Sequence, residues 1–268
     1  MQQSPPDWVS WGTLGVAVVA LFQKPLSMLF DSIFRPASID IRPSASIEVG
    51  YSTLGPTIGL WGTLFGFHHD MHVVNMKLRV VRTKDGLTHD FPWIFARSTS
   101  ATLSGSDSTS QIVSRLPCGF MLRATDPYAY DTLFHDADTL AALRPHLQKY
   151  RDAWVRLVLG HVTQAKDGTP PSNPEALYAE FSKDIEVWTK VNDAYYWQPG
   201  AYSLKVEVET LKPQKTLSRT WSFELTDSDS STVRSNCAAI LRETCGLKPT
   251  YYAFAYAVYK EQALRIGG

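Results

Sequence analysis

The densest set of side chains with metal-binding or acid–base chemistry is His68-His69-Asp70-Met71-His72. Neutral imidazole and carboxylate are good ligands for zinc or non-haem iron. His68, Asp70 and His72 are therefore the candidate metal ligands, a transition metal is the candidate cofactor, and a metal-dependent hydrolase or oxygenase is the chemistry such a set would serve. Geometry limits the idea. In an extended strand His68 and His72 stand about 13 Å apart, too far to share one ion. Sharing needs a tight turn, or recruitment of His89, His135, His146 or His161. The competing reading is a solvated connection between two strands.

Other patterns point away from catalysis, and no catalytic residue is assigned. The chain has no Gly-rich phosphate loop, no Gly-X-Ser-X-Gly elbow and no Cys-X-X-Cys pair. Ser104-Gly105-Ser106 sits in a polar run and reads as linker. Cys118 follows Pro117 with no adjacent base, which predicts a buried structural thiol. His135-Asp136-Ala137-Asp138 reads as a helix N-cap with an acidic first turn. Lys plus Arg equals Asp plus Glu at 26 each, so the clustered positive charge that nucleic acid requires is missing. These features favour a non-catalytic binding or adaptor protein with an unidentified protein partner.

Placing such a protein depends on its first residues. Trp8 to Phe22 carries no charge, and the apolar run extends to Phe30 interrupted by Lys24. Fifteen helical residues span about 22 Å and the longer run spans the ~30 Å of a bilayer core. The chain starts without Lys or Arg and lacks an Ala-X-Ala site, which predicts an uncleaved single-pass anchor over residues 8–30. Lys24, Arg35 and Arg42 follow the segment and only Asp7 precedes it, so the large domain is expected in the cytosol. Three cysteines and no Asn-X-Ser/Thr sequon agree with that side. On a helix Ser10, Thr13, Ala17, Ala20 and Lys24 share one face, which predicts self-association within the lipid.

The elements beyond the anchor read mainly as strands. Val73 to Ala96 is a hairpin: Val74, Met76, Leu78 and Val80 alternate with polar residues, and Lys84-Asp85-Gly86 turns the chain. Leu87, Phe91, Trp93 and Phe95 form the apolar side of the return arm. Ile39 to Tyr51, broken at Pro43, and Thr57 to Phe67 are further strands, and residues 98–110 read as a polar loop. Helical spacing takes over from Asp138, with Pro145 starting a second helix and Asn173-Pro174-Glu175 capping another that presents Leu177, Phe181, Ile185 and Trp188. After Pro199-Gly200 the period returns to two, in Tyr202 to Val208 and Leu217 to Leu225. A capped helix ending at Gly246 and a segment over Tyr251 to Tyr259, read as a strand with a helix as the alternative, complete the chain.

The fold class is thus α+β, mainly β: an anchor over residues 1–36, then a domain over 37–268 with a helical insertion at about 128–195. The strand spacing and the Pro-Gly-X-Tyr start resemble immunoglobulin-type sandwiches, a likeness of architecture that implies two packed antiparallel sheets.

Overall fold

A computed structural model describes residues 38–104, 107–164, 173–182, 185–248 and 251–261. The expected anchor and its face of Ser10, Thr13, Ala17, Ala20 and Lys24 lie outside them. Among the described residues no helix is long and apolar enough to cross a membrane.

The domain is mainly β with a helical insertion, as the periodicity implies. In chain order it runs β1 (Ser38–Pro43), β2 (Ser46–Ser52), β3 (Gly55–Phe67), β4 (Met71–Arg82), β5 (Thr88–Ser104), β6 (Asp107–Arg115), β7 (Phe120–Leu122) and β8 (Tyr128–His135). Three helices follow: α1 (Ala137–Gln164), α2 (Pro174–Phe181) and α3 (Ile185–Asp193). Then come β9 (Gly200–Leu211), β10 (Gln214–Leu225), α4 (Asp227–Arg234), α5 (Asn236–Thr244) and β11 (Ala255–Glu261).

All described strand pairs are antiparallel, and the path β4-β5-β8-β3-β2-β11-β10-β9 returns to β4. Two strands make that closure. Residues 88–92 of β5 pair with β4 whereas Trp93 to Ala96 pair with β8, with a bulge between Trp93 and Phe95. Likewise β11 pairs with β2 through Ala255 to Val258 and with β10 through Tyr259 to Glu261. Strands that bend from one sheet into the other are how a flattened barrel turns its corners. An immunoglobulin-type sandwich keeps its two sheets unlinked; here both margins are joined.

Period-two alternation fills the inside. Ile47, Val49 and Tyr51 of β2, Ile58, Leu60 and Leu64 of β3, Met76, Leu78 and Val80 of β4, and Leu204, Val206 and Val208 of β9 are all buried. Charged pairs such as Lys77–Glu207 and Arg79–Asp90 occupy the outer face. That is the reverse of a barrel that crosses lipid, whose apolar band faces outward. The interior is packed: the space between Ile47, Leu60, Leu204 and Trp221 has no room for a water molecule.

Several local readings need correction. Tyr128 to His135, assigned to the insertion, is strand β8, because Tyr130, Thr132 and Phe134 alternate inward against β3. Residues 98–110, read as a loop, carry a backbone ladder in which Ser98 faces Val113 and Ser104 faces Asp107. Pro145 lies inside α1 rather than starting a helix, on a helix whose buried face runs through Leu143, Tyr150 and Trp154. The helix expected to show Trp188 to the core buries Val187 and Val191 instead and leaves Trp188 exposed. Val74 and Leu87 are exposed too, Val74 at a register shift between Val73 and Asn75.

The helices cap one end of this barrel. β8 reaches that end at His135 and enters α1, β10 reaches it at Leu225 and enters α4, and the β4–β5 turn lies there as well. At the opposite end lie the start of β1, the β3–β4 connection, β7 and the β9–β10 turn, as the pairings Ser38–Phe67, Met71–Leu122 and Val73–Thr210 require.

Candidate functional site

Three consecutive aromatic residues between α3 and β9, Tyr195-Tyr196-Trp197, plug the helix-capped end. Trp197 is fully buried; its Nε1 donates to the Gly50 carbonyl at 2.8 Å, and its ring stacks on Phe91 at 5.7 Å between centroids. Tyr195 Oη donates to the Ser230 carbonyl at 2.6 Å, and Ser230 Oγ donates to the Trp197 carbonyl at 2.6 Å. Tyr51 Oη donates to the Val191 carbonyl at 2.9 Å. Buried polar groups that all find partners hold a segment in one geometry. The plug is therefore a rigid floor for whatever surrounds it.

On that floor lies a cleft of ≈ 550 Å³ lined by Arg82, Leu87, His89, Thr139, Tyr196 and Gln198, among others. Behind its wall a hydrogen bond joins His89 Nδ1 of β5 to Asp136 Oδ2. Asp136 is almost fully buried and serves as the N-cap of α1: its Oδ1 accepts from the amides of Asp138 and Thr139, each at 3.0 Å. Its Oδ2 also accepts from Thr139 Oγ1 at 2.5 Å. Burial alone would push this carboxyl up. The hydrogen bonds from His89 and Thr139 outweigh burial and hold it below the ordinary carboxylate range.

The rest of the wall is fixed in a similar way. The His89 ring lies 4.2 Å from that of Tyr196. Arg82 grips Asp85 through Nε at 3.0 Å and Nη2 at 2.5 Å, donates from Nη1 to the Tyr196 carbonyl at 3.3 Å, and sits 5.8 Å over the Tyr196 ring. That guanidinium holds Asp85 at about 2. Burial pushes the Tyr196 phenol upward, so it stays a neutral hydroxyl.

A histidine oriented by a buried carboxylate is two-thirds of a nucleophilic triad. The third member is not supplied by the neighbouring hydroxyls. Thr139 Oγ1 is spent on Asp136, Tyr196 Oη aims at the carbonyls of Val80 and Leu87 at 3.4 Å, and Tyr195 Oη is spent on Ser230. What the arrangement offers is a fixed imidazole edge and an aromatic wall, suited to holding a ligand in one orientation.

The sequence-predicted metal set lies at the opposite end and is not drawn together. His68 is exposed with a φ of 71°, and the His69 amide donates to the Phe67 carbonyl at 2.9 Å. Asp70 Oδ1 accepts from the Ala124 amide at 2.9 Å, while His72 faces Met121 across β4 and β7. Among the described residues no three His, Cys, Asp or Glu side chains form a metal-binding group. His89 and His135, considered as recruits, are at the helix-capped end, where His135 Nδ1 lies 3.2 Å from the Leu54 carbonyl. Cys118, expected to be buried, is exposed; Cys237 and Cys245 are buried, and burial raises their thiols to about 11 and about 12.

The capping role of Asp136 follows from its local sequence, whereas its partner His89 is 47 residues away. Arg82, Tyr196 and Gln198 had no motif to mark them, and the run Tyr195-Tyr196-Trp197 is the one local signal that was there to be read. The chain matches no family model, no curated protein and no solved structure.

Proposed function

We propose that this chain is a membrane-tethered, non-catalytic binding protein that holds a cytosolic partner in the cleft at the helix-capped end of its barrel. The observation that carries the reading is polarity of placement. Ser38, which follows the apolar segment and its linker, enters at the end of the barrel opposite His89, Asp136 and Tyr196. A domain held by that entry presents the cleft away from its tether. The uncharged run from Trp8 and the Lys24, Arg35 and Arg42 after it support a single span with the barrel in the cytosol. The small-residue face of Ser10, Thr13, Ala17 and Ala20 supports pairing of two such spans.

Alkaline carbonate extraction and protease treatment of intact cells test the tether. The full chain is expected to stay in the membrane pellet with its barrel protected; release by carbonate, or digestion from outside, overturns the reading. The cleft is tested by a photo-crosslinker at Asp193 in the native host. A discrete adduct that disappears with Ala142→Trp, which fills the cleft, is expected. An adduct indifferent to that substitution places the partner elsewhere. Elemental analysis of the purified chain addresses metal chemistry: a stoichiometric transition metal would replace the adaptor reading with a metal-dependent one.

A further inference from the structure

The end of the barrel where Ser38 enters differs in surface from the helix-capped end. Phe67, Met121, Tyr128 and Leu211 are all exposed there, Met121 at 55% and Leu211 at 52% of their full area. They belong to separate elements that the fold gathers at one level. Phe67 pairs with Ser38, Tyr128 with Leu64, Met121 with His72, and Leu211 begins the turn beside Val73. The Phe120 and Tyr128 rings stack at 4.0 Å with 9° between planes, which fixes one side of the surface as a flat aromatic platform. Single exposed apolar residues need no explanation, whereas a group on one end of a barrel does.

The same end carries exposed cations. Arg123 follows β7, and Lys212 and Lys215 flank the β9–β10 turn next to Leu211. The acids there include Asp70, one oxygen of which is spent on the Ala124 amide, and Asp126, with Asp40 paired to Arg42 and Arg219 and Glu209 paired to Lys77 at the next level of the strands. His68 and His69 stand on the adjoining connection. Apolar and aromatic side chains ringed by Arg and Lys are the composition that seats at a lipid headgroup boundary, with rings at the acyl edge and cations on phosphate.

Chain length supplies the occupant. Seven residues, 31–37, separate Phe30, the last apolar residue of the N-terminal run, from Ser38. Even fully extended they reach only about 25 Å. We propose that this end of the barrel, through Phe67, Met121, Tyr128 and Leu211 with Arg123, Lys212 and Lys215, rests on the phospholipid surface that holds the N-terminal segment. The inference rests on the tether reading and adds an orientation: the barrel stands on its β3–β4 and β7 end. Phosphate is the shared recognition element of zwitterionic and anionic lipids. Attraction of Arg123, Lys212 and Lys215 to phosphate is stronger where the surface contains anionic lipid.

The experiment uses the full chain in vesicles of phosphatidylcholine alone or with about a third phosphatidylserine. In a Cys118→Ser background, Met121→Cys or Lys84→Cys carries an environment-sensitive fluorophore, the latter at the helix-capped turn. The probe at 121 is expected to be quenched by nitroxide-labelled lipid at least about twofold more than the probe at 84, and more so with phosphatidylserine. Lys212→Glu with Lys215→Glu is expected to lower the docked fraction relative to the undocked by roughly fivefold per residue.

Equal quenching at both positions while the chain floats with vesicles overturns the docking and leaves the tether standing. Flotation only with anionic vesicles overturns the tether and keeps the docking. No flotation overturns both. Shielding at 121 that vanishes when the protein is diluted tenfold into lipid identifies a second copy of the chain as the occupant and overturns the proposal. Quenching at 121 that is insensitive to phosphatidylserine and to both substitutions overturns the assigned role of the cations.

Discussion

Asp136 does two jobs with one carboxylate: it caps α1 and it fixes His89 of β5. Only the first job is written locally, in a short polar residue just ahead of a helical pattern. The second depends on a contact 47 residues away that no spacing rule encodes. Replacing it should reveal both. Asp136→Asn removes the charge and one acceptor oxygen inside a buried cluster and is expected to cost about 1–3 kcal/mol at neutral pH. Because the folded carboxyl is held below its ordinary value of about 3.9, its contribution is complete above that pH. It is lost as pH falls through the lower, folded value. The stability gap between wild type and Asp136→Asn in urea titrations should therefore narrow below about pH 4. A gap that stays constant from neutral to acidic pH would show that the charge on Asp136 does not matter.

At the scale of elements, the Val73–Ala96 hairpin was the clearest reading and remains the central one. Gly86 takes a φ of 71° in its turn, and Phe91 and Trp93 are buried on the return arm. Trp93→Ala removes a buried ring and the Nε1 donor to the Phe95 carbonyl at 2.8 Å; a loss of about 3–5 kcal/mol in chemical denaturation is expected. Gly62 matters for the opposite reason. A Cβ there would lie 2.3 Å from the Arg42 carbonyl oxygen, so Gly62→Ala must push β1 off β3. Its expected cost is on the order of 3 kcal/mol, with Ser38–Pro43 amides exchanging faster than those of the other strands. Strands with one buried face were legible because period two is unambiguous when one side is apolar. The β5–β6 extension escaped that logic. Its Ser and Thr residues show no apolar alternation, although the backbone pairs through Ser104 and Asp107. Trp188 failed for a related reason: helical spacing gives a face but not its phase, and Val187 and Val191 won the core.

At the scale of the whole molecule, closure of the barrel was the least readable property. It depends on β5 and β11 each dividing their length between two neighbours, a choice set by partners far along the chain rather than by the strands' own composition. The floor at the helix-capped end has a parallel consequence for cooperativity. Gly50 of β2 accepts from Trp197, Val191 of α3 accepts from Tyr51, and Ser230 of α4 bonds both Tyr195 and Trp197. Barrel and helices should therefore open together, with amides of β2 and α3 showing the same exchange free energy by native-state hydrogen exchange. Trp197→Phe, which deletes the indole donor, should lower both by equal amounts; loss of protection in α3 alone would show two separable units. If they are one unit, the insertion between β8 and β9 is not cargo on a finished barrel. Excised and its ends rejoined, it would leave the remaining strands as an open cup, and grafted elsewhere it would arrive without the wall against which its aromatic residues close.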